Sequence, residues 1–564
     1  MPISRRLACF LGLLLAVVIP PASAADTIPV TITVDASHTL GPLREIWRFF
    51  GADEPNYAYA PNGAKLLGEL GELRPGRVYF RAHNLLTSGD GSWGLKWGST
   101  NVYTEDEEGR PVYDWTIVDR IFDTYLARGV RPYVEVGFMP EALSAHPTPY
   151  RHNWKQGDPY ERIFTGWAYP PKDYEKWGEL VEQWVRHCVE RYGADEVSQW
   201  YWETWNEANA GYWQGSDGDY LKLHDYTVAA IRRALSTARI GGADTAGHGG
   251  EFTRRFLEHS LRGVNFAKPD TRGTPIDFIS FHAKGEPEFV EGHVRMNMAR
   301  QLRTIDWGFA MIGEYEHLRD LPIVIGESDP EGCAACRGER QGYRNGTMYS
   351  SYTAACFART QDLADRHGVN LEGALTWAFE FEDQPIFAGF RALATHGIDK
   401  PVLNVFRMFS KMSGERIEAE SDHARSLNDM LEHSVRDDPD IAAFASRDGD
   451  RVSVMVWHYH DDDLPGPDAE IEIRLKGLRE TLSPLTVRQY RIDRTHSNAY
   501  TAWLDMGSPP EPTPAQQELL EAAGQLAELS EPDAIIIRGV VGLRFNLPRQ
   551  GVSLFVFEPA RAQP

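Results

Sequence analysis

The stretch Ser198-Gln-Trp-Tyr-Trp-Glu-Thr-Trp-Asn-Glu-Ala-Asn209 begins as an aromatic, strand-like run and ends on Asn206-Glu207, an amide beside a carboxyl where a strand gives way to a loop. A carboxyl delivered at a strand's end can act on whatever the following loops enclose. A second stretch, Leu321-Pro-Ile-Val-Ile-Gly-Glu327-Ser-Asp-Pro330, has the same form: an apolar strand closed by a carboxyl and then a turn. Most glutamates are solvated surface groups, so the two stretches matter only if one architecture brings them together. Working outward, apolar strand-like runs recur at 45–50, 77–83, 131–138, 200–207, 239–243, 276–282, 323–327 and 371–377. Helical patterns separate them. In 173–192, for example, Trp177, Leu180, Val181, Trp184, Val185 and Cys188 repeat at helical spacing, and Gly193 stops the helix.

Eight strands alternating with helices predict a parallel sheet, and eight such units close a (β/α)8 TIM barrel. An open doubly wound sheet is the competing arrangement. No Gly-rich phosphate loop follows the first strand, so no nucleotide cofactor is expected. In a closed barrel the active site lies at the C-terminal ends of the strands. The residues falling there are His83 after the second strand, Asn206 and Glu207 after the fourth, and His282 and Lys284 after the sixth. Glu327 follows the seventh, and Trp377 with Asp383 follows the eighth.

Beyond about residue 400 the pattern changes. A closing barrel helix over 401–412 is followed by strands at 441–446 and 451–459 around an Asp448-Gly449 turn, and by further strands at 469–475, 485–492 and 552–557. A capping box, Thr513-Pro-Ala-Gln516, starts a helix inside this all-β module. The fold class is therefore α/β, a (β/α)8 barrel with an accessory all-β sandwich. Residues 1–24 read as a signal peptide, 25–415 as the barrel, and 416–564 as the sandwich; the lead-in strand within 25–38 is available to pair with the sandwich.

The signal assignment rests on Arg5 and Arg6, an apolar run over 7–19, and Ala22-Ser23-Ala24, the basic, apolar, small-residue order of an export signal, too short for a permanent span. An exported protein, periplasmic or extracellular, is expected, with no membrane attachment once the signal is removed. Hydrophobic residues make up 42% of the 564, enough for a large core, and the formal charge of −23 repels polyphosphate, which excludes nucleic acid and anionic membranes as partners. Aromatic residues among acids suit neutral ligands such as sugars. Cys333 and Cys336 can form a disulfide, stay free, act as a redox pair or bind metal; with no matching second pair among Cys188, Cys333, Cys336 and Cys356, no metal site is assigned.

Two carboxyls facing one another across a cleft can cleave a glycosidic bond. The pattern Trp205-Asn206-Glu207 at the fourth strand and Glu327 at the seventh resembles the clan A glycoside hydrolases. Within that clan the chain resembles family 39, which holds β-xylosidases and α-L-iduronidases. The likeness runs through Arg81-Ala-His83, Tyr169-Pro-Pro-Lys-Asp-Tyr-Glu-Lys-Trp177, Asp277-Phe-Ile-Ser-Phe-His282, Glu327-Ser-Asp-Pro330 and Lys400-Pro-Val-Leu403.

The resemblance implies a retaining mechanism in which Glu207 is the general acid/base and Glu327 the nucleophile, without a cofactor. It implies further that Asn206 binds the sugar 2-hydroxyl, that His83 and His282 bind other hydroxyls, and that Trp377 stacks on the sugar. The clan's proline after the acid/base is here Ala208. Phe281-His-Ala-Lys284-Gly is closer to the iduronidase pattern, in which a lysine at this position meets a substrate carboxylate and an arginine, matched by Arg391, assists; a structural pairing of Lys284 with Glu286 or Asp329 competes with that role. The expectation is an exo-glycosidase releasing β-D-xylose from xylo-oligosaccharides. A uronidase or arabinosidase, and a sugar-binding protein without catalysis, are the alternatives. The sequence sets no oligomeric state.

Overall fold

A computed structural model of the chain describes residues 27–478, 485–530, 532, 534–537 and 539–560. The expected signal segment, 1–24, lies outside the described residues. Eight parallel strands follow one another around a sheet in strict sequence order: Phe49–Ala52, Val78–Ala82, Val130–Glu135, Tyr201–Glu203, Arg239–Thr245, Phe278–Lys284, Ile323–Asp329 and Leu371–Ala374. The last returns to the first through a parallel bridge between Phe50 and Thr376, with Gly51 N–H donating to Thr376 O at 3.1 Å and Thr376 N–H to Phe49 O at 3.0 Å. The sheet is therefore a closed barrel and not an open doubly wound sheet.

Each strand is followed by a helix, from Pro61–Leu73 to Pro401–Ser410. Their starts carry the local chemistry that ends a loop. Asp173 accepts from the N–H groups of Glu175 and Lys176 to begin Tyr174–Tyr192, and Ser216 and Asp219 form a capping box at Asp217–Ala234. Such caps are worth about 1 kcal/mol each, and they set where the preceding loop stops. Trp177, Leu180, Val181, Trp184, Val185 and Cys188 all face the core, as their spacing requires.

The all-β module is one ten-stranded ladder. The strand Ile28–Pro42 lies inside it, antiparallel to Glu415–Ser421 and parallel to Ala469–Lys476. The chain thus starts in the module, builds the barrel, and returns. Alternation in the first strand puts Val30, Ile32, Val34 and Ala36 into the core. The ladder folds over on itself, since Phe545 near one end of the strand order meets Phe555 from the other half at 4.6 Å. The hairpin Asp440–Asp448 to Arg451–Tyr459 turns on Gly449-Asp450, with Gly449 at φ 60°, one residue later than the expected Asp448-Gly449. Thr513 and Gln516 form the expected capping box on Pro514–Gly524.

Barrel and module share a hydrophobic core. Met455, Trp457, Tyr459 and Leu554 belong to the same buried cluster as the barrel helices, and Tyr352 meets Tyr459 edge-on at 5.8 Å. Arg359 pairs with Asp440 at 2.8 Å beneath them. No described helix is long and apolar enough to cross a membrane.

Candidate active site

The fourth strand stops at Glu203, earlier than the aromatic run leads one to expect, and Thr204-Trp205 lead out of the barrel. Trp205 is buried and donates its indole N–H to Tyr212 O at 3.0 Å, which anchors the loop. Glu207 follows with φ 44°, its N–H donating to Asp244 O at 2.8 Å. Ala208 is accommodated and buried. Glu327 lies on the seventh strand and is 6% exposed.

His282, from the sixth strand, connects the two carboxyls. Its Nδ1 is 2.8 Å from Glu207 Oε1 and 3.8 Å from Glu327 Oε1. The two oxygens therefore lie within about 6.6 Å of each other, and a bent arrangement at Nδ1 brings them closer.

Four cations surround or approach Glu327: Lys284 Nζ at 2.6 Å, Arg81 Nη1 at 3.7 Å, His282, and His83 Nε2 at 3.8 Å when that ring is charged. Burial by itself would raise this carboxyl's pKa. Lys284 above all, then the others, hold it well below the usual carboxylate range, so Glu327 is ionised. Burial likewise would discharge His282, but Asp244, with Oδ2 2.9 Å from Nε2, and Glu327 raise its pKa to about 10. His83 goes the other way: burial dominates and lowers its pKa despite Asp53.

Behind the pair lies a buried polar layer. Arg81 Nε donates to Glu203 Oε2 at 2.9 Å, and its other nitrogens meet Glu135 at 3.0 Å, Asn206 Oδ1 at 3.2 Å, and Asp244. Burial first, and then Asp244, raises Glu203 to about 8, so one of these crowded acids stays protonated. Asp53 follows the first strand, 2.8 Å from His83 Nδ1 and 2.5 Å from Lys96 Nζ. Glu54 beside it is raised to about 8, by burial and then by Asp53.

The other expected site residues take these positions. His83 Nδ1 lies 2.8 Å from Asp53 and its Nε2 3.1 Å from Glu135, and His282 Nδ1 lies 2.8 Å from Glu207 and its Nε2 2.9 Å from Asp244. Asn206 is buried with Oδ1 bound to Arg81 and Nδ2 without a partner, which leaves one donor for a ligand. Trp377 is 3% exposed, packed 4.3 Å from His83 with Arg81 over its ring; its backbone N–H donates to Asp329 Oδ1 at 3.0 Å. Asp383 is exposed and accepts from Trp93 Nε1 at 3.0 Å.

Lys284 is held between Glu327 and Asp329, so its pairing with Asp329, weighed against a ligand role, is present. Arg391 is wholly buried. It binds Glu331 and Trp377 O and reaches Asp329 at 3.4 Å, which pins the loops after the seventh and eighth strands. Cys333 and Cys336 form a disulfide in the first of those loops, whereas Cys188 and Cys356 are buried free thiols.

Sequence reading missed Asp53, Lys96, Glu135, Glu203 and Asp244. For two of them a signal existed: Glu135 in Tyr133-Val-Glu-Val136 and Glu203 in Tyr201-Trp-Glu-Thr204 are carboxyls inside apolar strands, paired in register. A barrel interior cannot accept them without a cation, and Arg81 supplies it. Among the described residues no group of three or more His, Cys, Asp and Glu is arranged to hold a metal ion.

A closed parallel barrel with two carboxyls at the ends of its fourth and seventh strands, one ionised and both touching one imidazole, defines a glycosidase. The chain belongs to the glycosyl hydrolases family 39, whose model matches residues 30–539. It is 28% identical over 515 residues to a beta-xylosidase of Caldicellulosiruptor saccharolyticus, covering 88% of this chain and 91% of that one. It is 24% identical over 553 residues to the alpha-L-iduronidase of Homo sapiens, covering 92% and 77%. Among solved structures, a monomeric beta-xylosidase from Caulobacter crescentus CB15 shares the fold with a TM-score of 0.72 at 23% identity, over 94% of this chain and 99% of that one.

Proposed function

We propose that this glycosidase removes β-D-xylose from the non-reducing ends of xylo-oligosaccharides with retention, and that it does so after export. The observation that carries the reading is the ionised Glu327 held within one imidazole of Glu207. In the first step Glu327 attacks the anomeric carbon while Glu207 gives its proton to the departing oxygen, forming a glycosyl ester. In the second, Glu207 takes a proton from water, the resulting hydroxide attacks the same carbon, and the ester bond breaks to return Glu327 as a carboxylate. His282 donates from Nδ1 to Glu207 Oε1, which leaves the other oxygen to carry the catalytic proton. Esterification also removes the negative charge of Glu327, which favours Glu207 as a base in the second step.

A neutral glycone fits the charges already present. Arg81 is matched by Asp244, with Glu135 and Glu203 also against it, His282 by Asp244 and Glu207, and Lys284 by Glu327 and Asp329. Among the described residues, each cation beside Glu327 already has a carboxylate partner. The unpaired Asn206 Nδ2 suits a hydroxyl acceptor such as the sugar's 2-oxygen. A uronide is the second reading, favoured by one fact: of the cations at Glu327, only Lys284 is partly exposed, at 16%.

Initial rates on aryl β-xyloside, β-glucoside, α-L-arabinofuranoside and α-L-iduronide decide between them, with proton NMR of the first-formed anomer for stereochemistry. Expected are fast xyloside cleavage, a β-anomer first product, and loss of turnover in Glu327→Gln. Glu207→Gln should lower kcat on poor leaving groups by about 10²–10⁴. Preference for the iduronide would replace the xyloside reading, and no cleavage of any substrate would leave a sugar-binding protein.

A further inference from the structure

From Lys284 a cleft of about 430 Å³ runs outward between the loops after the third, fifth, sixth and seventh strands and the helix Met298–Gly313; Tyr160, Glu286, Arg300, Glu331 and Arg340 line it. Two of its charges are internally satisfied. Lys284 is held by Glu327 and Asp329, and Glu331 by Arg344 and Arg391 at 2.8 Å each. That leaves Glu286, Arg300 and Arg340, all exposed. Among the described residues neither of these guanidinium groups has a carboxylate within ion-pair distance, so the cleft carries one uncompensated positive charge in a chain whose formal charge is −23.

Unpaired arginines occur elsewhere on the surface; these two share the opening that begins at the nucleophile. Their backbones are also fixed. Arg300 lies in the first turn of its helix, where its N–H donates to the cap Asn297, and Arg340 rides on the loop that the Cys333–Cys336 disulfide and the Glu331–Arg344 pair hold at its base. The cleft meets the catalytic pair through Lys284, whose Nζ lies 2.6 Å from Glu327.

We infer that the leaving-group side of the site binds a carboxylate, with Arg300 and Arg340 as its anchors. Arginine is suited to this role because its planar guanidinium meets a carboxylate through paired hydrogen bonds. The substrate class is a glycoside whose aglycone is acidic, either a uronic-acid-bearing sugar or an aromatic acid. The inference rests on the glycosidase reading and on the xyloside reading only for the choice of glycone.

The test compares kcat/KM for 4-carboxyphenyl and 4-carbamoylphenyl β-xylosides. The amide withdraws more electron density and is the better leaving group, so any preference for the carboxylate opposes intrinsic reactivity. Expected is a preference of at least about fivefold at low salt, the size of one partly screened charge-assisted contact. It should shrink as salt is raised and fall toward unity in the double variant Arg300→Gln, Arg340→Gln. An equal ratio in wild type and variant, or no salt dependence in the wild type, overturns the inference; the salt series needs no variant to fold.

Xylo-oligosaccharides with and without a glucuronic acid on the sugar next to the scissile bond separate the two sources. A preference there assigns the uronic acid, and a preference confined to the aryl pair assigns the aromatic acid. If no β-xyloside is cleaved, the glycone reading has failed by itself, and the same ratio is taken on whichever glycone in the panel is cleaved.

Discussion

Buried Glu327, the nucleophile in the proposed mechanism, is held ionised above all by Lys284, 2.6 Å away. Removing that ammonium in Lys284→Met leaves the carboxyl just as buried and takes away the largest opposing charge, so its pKa rises. Activity needs the ionised form and is lost as pH falls through that pKa. The acid limb of kcat/KM should therefore move to higher pH by at least about one unit, measured as a pH profile on a neutral aryl glycoside. His282 has the opposite sign. Its folded pKa of about 10 lies above the unfolded 6.5, so its contribution to stability is complete below about 6.5 and is lost as pH rises through 10. Asp244→Asn removes most of the cause. The stability gap between wild type and this variant, followed by denaturant titration, should narrow between pH 6 and pH 10 by on the order of a few kcal/mol.

The strands place these groups by leaving space as much as by presenting side chains. Gly326, one residue before Glu327, faces Asp244, and a methyl group there would overlap Asp244 Oδ1 and press on His282. Gly326→Ala should cost about 1–3 kcal/mol by overpacking and lower kcat together with stability, because it displaces the group that charges His282. Gly51 has the same relation to Trp377. The strand Ile28–Pro42 acts at a distance from the chemistry. Ile32 is fully buried between two strands of the module, and Ile32→Ala should lower stability by about 2–5 kcal/mol without altering KM, measured by thermal unfolding and by initial rates on the folded enzyme.

At the scale of the whole chain, barrel and β-module share a hydrophobic cluster and a buried ion pair between Arg359 and Asp440, and the chain passes from the module's strand Ile28–Pro42 into the barrel and back. Neither part can lose its partner without exposing the interface around Met455, Trp457 and Tyr459. Calorimetry should therefore record one cooperative transition, and two separated transitions would show that the shared core does not couple them. The cleft charged by Arg300 and Arg340 also belongs to this scale, since it draws on loops from four barrel units.

What the sequence by itself determined is what depends on local chemistry and period. Alternating apolar runs and helical faces laid out eight units, the caps at Asp173, Ser216 and Thr513 mark where helices begin, and strand ends carry Asn206, Glu207 and Glu327. Only the tertiary structure decided which groups neutralise one another. Arg81 meets acids from the third, fourth and fifth strands, His282 turns both nitrogens to carboxylates, and Asp53 joins His83 to Lys96. These pairings span long separations and leave no periodic trace, because burial strengthens charge interactions only once distant strands have closed around them. The contact between Asp383, after the eighth strand, and Trp93 Nε1 is likewise set by the loops' own fold and leaves no periodic trace.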